Sequence, residues 1–204
     1  GGTAGADILR GGIGNDTYIV SHTGMTLTEL AGEGTDTVFS SISLTLAANI
    51  ENIVLTSSAV INGTGNAGNN VLVGNSANNT LSGGTGIDTL DLSGTSAAAV
   101  VNLLTNRAIS TQIGTDTLIG LEAFVGGSGN DRFIASAAVV ETFTGGLGAD
   151  TFEFQTRTAA GNGVAARTVI TDFVSGVDKI DLTLLDADFR AAAPGIQHFT
   201  LAGQ

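Results

Sequence analysis

The chain has 204 residues, 19 acidic and 7 basic side chains, a net charge of -12, no cysteine, and one proline beside 30 glycines. That balance speaks against nucleic acid and for cations as partners, the missing cysteine excludes disulfides and thiolate sites, and the scarce proline excludes collagen. No apolar run approaches ~18 residues, so no membrane span is expected.

In chain order the sequence resolves into nonapeptides. GTAGADILR and GGIGNDTYI, within residues 1–19, put Asp7 and Asp16 at the sixth place and Leu9 and Tyr18 at the eighth. A start at Gly1, inside a repeat, leads us to expect a piece of a longer protein. Residues 20–64 read as β-rich spacer rungs. Met25–Leu30 and Ile42–Leu46 alternate apolar and polar residues as strands do, and AGEGTDTVF carries Asp36. Residues 65–95 hold three units without a gap, GNAGNNVLV, GNSANNTLS and GGTGIDTLD, with Asn70, Asn79 and Asp88 sixth and Leu72, Leu81 and Leu90 eighth.

A second spacer follows at 96–125. Ala97–Leu104 reads as a strand, Ala108–Ser110 as its return after a turn near Thr105 and Asn106, and TQIGTDTLI carries Asp116. Residues 126–155 resume the repeat with GGSGNDRFI (Asp131) and GGLGADTFE (Asp150). The remainder, 156–204, reads as a β-strand cap. It comprises a polar loop, two short strands around Ser175 and Gly176, room for a helical turn at Asp186–Ala193, and a strand-like tail.

All nine units have Asp or Asn sixth and a bulky apolar residue eighth. A short fixed period marks a stacked solenoid, whose single repeats are too small to bury a core. Two units make a coil, so Asn70 should face Asp88, and Asp131 should face Asp150. By the same count Ala97 follows Asn79 and leaves it without a carboxylate partner. Phe124, Phe133, Phe143, Phe152, Phe154 and Phe173 read as core.

Glycines at the second and fourth places (Gly12, Gly14, Gly34, Gly84, Gly86, Gly127, Gly129, Gly146, Gly148) permit left-handed or crowded turns with inward carbonyls. Added to the sixth-place oxygens of Asp7, Asp16, Asp36, Asn70, Asp88, Asp116, Asp131 and Asp150, they make hard oxygen sites. Such sites suit several Ca2+ ions better than Mg2+, and Zn2+ or Cu2+ would want His or Cys clusters. The alternative for each Asp is an Asx-turn that bonds its own backbone. Asn70 and Asn79 also fit turn or ladder hydrogen bonds, with Asn70 reaching Ca2+ through Asp88. Without metal the stacked acids repel, so folding should be coupled to Ca2+.

The pattern G-G-x-G-x-D-x-U-x resembles the RTX (repeats-in-toxin) calcium-binding nonapeptide. GGLGADTFEF followed by TVITDFVSGVDKIDL resembles the C-terminal region of serralysin-type metalloproteases and other secreted RTX proteins. The resemblance implies an all-β, parallel β-roll with Ca2+ in its turns and export by type I secretion machinery, hence a secreted or cell-surface location. It also implies Asp178 as a ligand of the last ion, with Thr168 where an acid is common and a secretion signal extending past Gln204. The expected function is a non-catalytic calcium-binding module of a larger secreted bacterial protein. His22 and His198 are the only histidines, and neither an H-E-x-x-H nor a G-x-S-x-G motif occurs, so no catalytic constellation is expected. The alternatives are an adhesin or surface-matrix module that binds extracellular polysaccharide or cells, and, at a distance, a β-helix polysaccharide lyase or epimerase.

Overall fold

The computed structural model describes residues 7–136, 140–155 and 168–184. Among them there are nineteen strands, of two to six residues, and no helix. The expected loop after Phe154, the helical turn and the tail lie outside the described residues, apart from the two strands Val169–Ile170 and Lys179–Asp181.

Successive strands alternate between two facing sheets. Val71–Val73 lies in one, Thr80–Ser82 in the other, and Thr89–Asp91 back in the first. The first sheet has eight strands, running from Thr17–Val20 to Val169–Ile170, and every pairing in it is parallel. The second has nine, running from Leu44–Thr45 to Lys179–Asp181. A parallel pair, Ile8–Arg10 with Thr26–Thr28, lies at the N-terminal end. The chain is thus a parallel β-roll.

The core is the eighth-place column. A three-residue strand turns its middle side chain inward and the neighbours outward, and Leu72, Leu81 and Leu90 accordingly have no exposed surface. Their register partners continue the column: Tyr18, Val38, Ile53, Phe124 and Phe143 in the first sheet, and Leu118, Val101, Phe133 and Phe152 in the second. Toward the C-terminus the filling becomes aromatic, with ring centroids 5.2 Å apart for Phe133 and Phe143 and 5.4 Å for Phe133 and Phe152. One or two inward side chains per strand give no rung a core of its own, which makes stability a property of stacking.

Coil length varies. Between stacked sixth places it is 18 residues at Asn70 and Asp88, 20 at Asp16 and Asp36, and 15 at Asp36 and Glu51. The largest departure is an antiparallel excursion in the second sheet. Val100–Asn102 turns through Asn106, at φ 54°, into Arg107–Ser110, which pairs antiparallel with Gly114–Ile119. Asn tolerates that left-handed conformation better than most residues. The excursion overturns the expectation drawn from Ala97. Gly114–Ile119, not Val100–Asn102, lies beside Thr80–Ser82, and the Asn79 N–H donates to Asp116 Oδ1 at 2.8 Å.

Candidate metal centres

Each turn ends at the sixth place, just before a strand, except that Asp116 lies within the strand Gly114–Ile119. Parallel register stacks these places into two columns, one along each edge of the roll. The first runs Asp16, Asp36, Glu51, Asn70, Asp88, Glu122, Glu141 and Thr168. The second contains Asn79 and Asp116 and, past the excursion, Ala99, Asp131, Asp150 and Asp178.

A single bonding rule links neighbours within a column. The backbone N–H of one sixth-place residue donates to a carboxylate oxygen of the next. The distance is 2.8 Å from Asp16 to Asp36, 2.7 Å from Asn70 to Asp88, 2.7 Å from Asp131 to Asp150 and 3.0 Å from Asp150 to Asp178. One oxygen of each accepting carboxylate is thereby used; Asp16, first in its column, only donates. The Oδ2 atoms of Asp16, Asp88, Asp116 and Asp150 are buried with no hydrogen-bond partner. A buried acceptor without a donor is costly, and an unpaired buried charge more so. Burial therefore raises the carboxyl pKa at Asp88 and Asp131, to about 7 at Asp116, and to about 6 at Asp150, where the charges of Asp131, Asp178 and Asp172 add to it.

Turn backbones close around them. Gly12, Gly14, Gly84, Gly86, Gly146 and Gly148 have positive φ, a region where a side chain is strained. Gly34, Gly127 and Gly129 do not; they are needed for close approach instead, and a Cβ on Gly34 would collide with the Gly14 carbonyl oxygen. Stacked turns thus bring carbonyl and carboxylate oxygens together, the donor set a Ca2+ ion requires.

Two turns solve the same problem internally. Asn70, 1% exposed, donates its amide to Ile50 O at 2.9 Å and Glu51 O at 3.1 Å, and Asn66 donates to Ala47 O and Ile50 O, both at 2.7 Å. On the other edge Asn79 and Asn75 donate to Ile61 O at 2.6 Å and Ala59 O at 2.9 Å. An amide hydrogen here meets carbonyls that a cation would otherwise face.

The structure therefore brings together Asp16 with Asp36, Asn70 with Asp88, Asn79 with Asp116, and Asp131 with Asp150 and Asp178. Asp7 stands apart, its column neighbour being Met25, with His22 Nε2 3.9 Å from its carboxylate. Asp172 caps the last repeat turn, its two oxygens accepting from Gly145 and Gly146 N–H at 2.8 Å. Sequence reading missed Glu51, Glu122 and Glu141, whose turns lack the glycine signature. Each directly precedes a strand, which was the only available signal. It also missed Glu29, which lies outside every repeat.

Two family models match. One, described as Peptidase M10 serralysin C terminal, covers residues 80–204. The other, described as RTX calcium-binding nonapeptide repeat (4 copies), covers 2–19 and 63–92. Among curated proteins there is no match. RTX repeats bind calcium ions, and both regions are non-catalytic parts of proteins that are generally secreted. The chain belongs to the serralysin C-terminal family and carries RTX calcium-binding repeats.

Proposed function

We propose that this chain is the calcium-triggered folding module of a larger protein exported by type I secretion, disordered while calcium is scarce and assembled into the β-roll outside the cell. The observation that carries this reading is the set of buried, unpartnered carboxylate oxygens at Asp16, Asp88, Asp116 and Asp150. In their unpaired state they oppose the fold, and with Ca2+ they become its strongest contacts, so binding and folding share one free energy. The ligands would be sixth-place Asp16, Asp36, Asp88, Asp116, Asp131 and Asp150, with Asp178 at the last turn and carbonyls of the glycine-rich turns. Asn70 contributes through Asp88.

Far-UV circular dichroism of the full chain tests this. In a chelator the strand signal should be lost, and it should return cooperatively as free Ca2+ is raised through roughly 10⁻⁴–10⁻³ M, the range of extracellular modules. A full β signal in chelator, with the same melting temperature as in Ca2+, would sink the reading.

A further inference from the structure

Glu29 follows the strand Thr26–Thr28 and precedes the turn that ends at Asp36. The register of Thr28 opposite Arg10 seats it beside Gly11, at the start of the turn that ends at Asp16. The Gly11 N–H donates to Glu29 Oε1 at 2.9 Å. The side chain is only 6% exposed, and its second oxygen, Oε2, is buried without a hydrogen-bond partner, as is Asp16 Oδ2. One oxygen from each of Asp16, Glu29 and Asp36 falls within 4.8 Å of the others, a grouping no other trio of acids or histidines attains among the described residues. A Cβ on Gly11 would meet both Asp16 Oδ2 and Glu29 Oε1, so the two oxygens crowd the one open side of a glycine. Among the described residues no basic side chain is paired with any of the three.

Three buried or half-buried carboxylates with two uncommitted oxygens and no cationic side chain are held only against their own repulsion. The motif explains two of them. It does not explain Glu29, which reaches in from outside the repeat and raises the local charge by one.

We propose that Asp16, Glu29 and Asp36 form a three-carboxylate site for a hard, oxygen-seeking cation of the size of Ca2+, which fills before the repeat turns elsewhere in the roll. The proposal rests on the calcium reading above and adds to it a named extra ligand and an order of filling. Affinity in flexible oxygen sites rises with the number of charged ligands, and among the described residues no three carboxylates at the repeat turns of Asp88, Asp116, Asp131 and Asp150 bring an oxygen within 4.8 Å of one another. A flexible set of carboxylates and carbonyls suits Ca2+ or a trivalent lanthanide better than Mg2+ with its tight octahedron.

Tyr18, two residues beyond Asp16, makes the site visible. It is the chain's only tyrosine and there is no tryptophan, so terbium emission excited through tyrosine reports an ion near Tyr18. At ~4.8 Å per strand the Asp88 turn is four strand spacings away in the sheet, about 19 Å, and contributes far less. The full chain is titrated with Tb3+, and bound Tb3+ is then displaced with Ca2+ or Mg2+. Sensitised emission should saturate within the first equivalent and yield to Ca2+ well before Mg2+. E29Q should raise the half-saturating Tb3+ concentration about tenfold or more. An E29Q curve that overlays the wild type would overturn the proposal. So would wild-type emission that begins to rise only after the second equivalent, a result that needs no variant to fold. Equilibrium dialysis separates the two readings. Calcium uptake with an E29Q-insensitive Tyr18 signal removes only the three-carboxylate site, whereas no uptake at any turn removes the calcium module as well.

Discussion

Replacing Asn70 with aspartate (N70D) exchanges an internal cation mimic for a carboxylate at one point of the roll. Asn70 Oδ1 accepts from the Asn66 N–H at 2.7 Å, and an aspartate keeps that bond. It loses the two amide bonds to Ile50 O and Glu51 O. Both carbonyls retain a second donor, Asn66 Nδ2 and Val71 N–H respectively, so the loss is two net hydrogen bonds, about 2 kcal/mol. The new charge is buried, faces two carbonyl oxygens and lies one rung from Asp88, which brings the cost at low calcium to about 3–5 kcal/mol. That is a large part of a domain stability of about 5–15 kcal/mol. In high calcium the same oxygens become ligands. Each additional ion bound only by the fold contributes about 1.4 kcal/mol per tenfold rise in free ligand. Urea unfolding at a series of buffered Ca2+ concentrations measures both terms. N70D should be less stable at the low end and should show a slope of stability against log[Ca2+] steeper by about one ion. Parallel lines for the two proteins, or an N70D chain more stable than wild type at low calcium, would refute the idea that the Asn70 amide stands in for a cation.

D150N keeps the acceptor for the Asp131 N–H but removes one charge from the Asp131–Asp150–Asp178 column, so the Ca2+ concentration at half-folding should rise about tenfold, read by circular dichroism. G34A drives a methyl into the Gly14 carbonyl from an ordinary backbone conformation, whereas G32A meets open space at φ +80°. Chemical denaturation in saturating Ca2+ should show a loss of about 3 kcal/mol for the first and about 1–2 kcal/mol for the second. Glu141 has no exposed surface, and burial raises its pKa above 4.5 although Ser136 and Thr168 donate to it. The fold therefore holds its proton more tightly than the unfolded chain does. That contribution is fully present below about 4.5 and lost as the pH rises through the raised value. E141Q should flatten this part of the stability-versus-pH curve at constant saturating Ca2+; an unaltered slope would show that Glu141 is not its source.

The regular parts of the roll were legible because one residue does one job. Leu72, Leu81 and Leu90 must be apolar since each is the sole inward side chain of its strand, and Asp131 or Asp150 must carry oxygen since each receives a backbone N–H from the rung before. Where a rung obeys the same geometry by another route, the pattern disappears. Glu51, Glu122 and Glu141 take the sixth place with a longer side chain on turns without the paired glycines of the repeat: Asn49 supplies the left-handed residue before Glu51, and a single Gly120 the one before Glu122. Counting by nines failed at Ala97 because the chain doubles back through Asn106 and re-enters the sheet at Gly114, a detour set by tertiary pairing rather than by a local signal. Glu29 was invisible for a related reason: only the stacking of Thr28 on Arg10 carries it to the Asp16 turn.

The bonding rule along the two columns has an arrow. From Asp16 to Asp36 and from Asp131 through Asp150 to Asp178, the donor always belongs to the earlier rung and the acceptor to the later one. A rung added on the N-terminal side finds a waiting acceptor, whereas a rung without its C-terminal neighbour presents an N–H with nothing to receive it. At the C-terminal rungs Asp172 and Asp178 accept from the Gly145 and Asp150 N–H groups and so close the ladder at that end. A chain cut behind Asp150 should therefore lose more than its final strands, since the Asp150 N–H is left without its acceptor, while one shortened from the front leaves each remaining donor its partner.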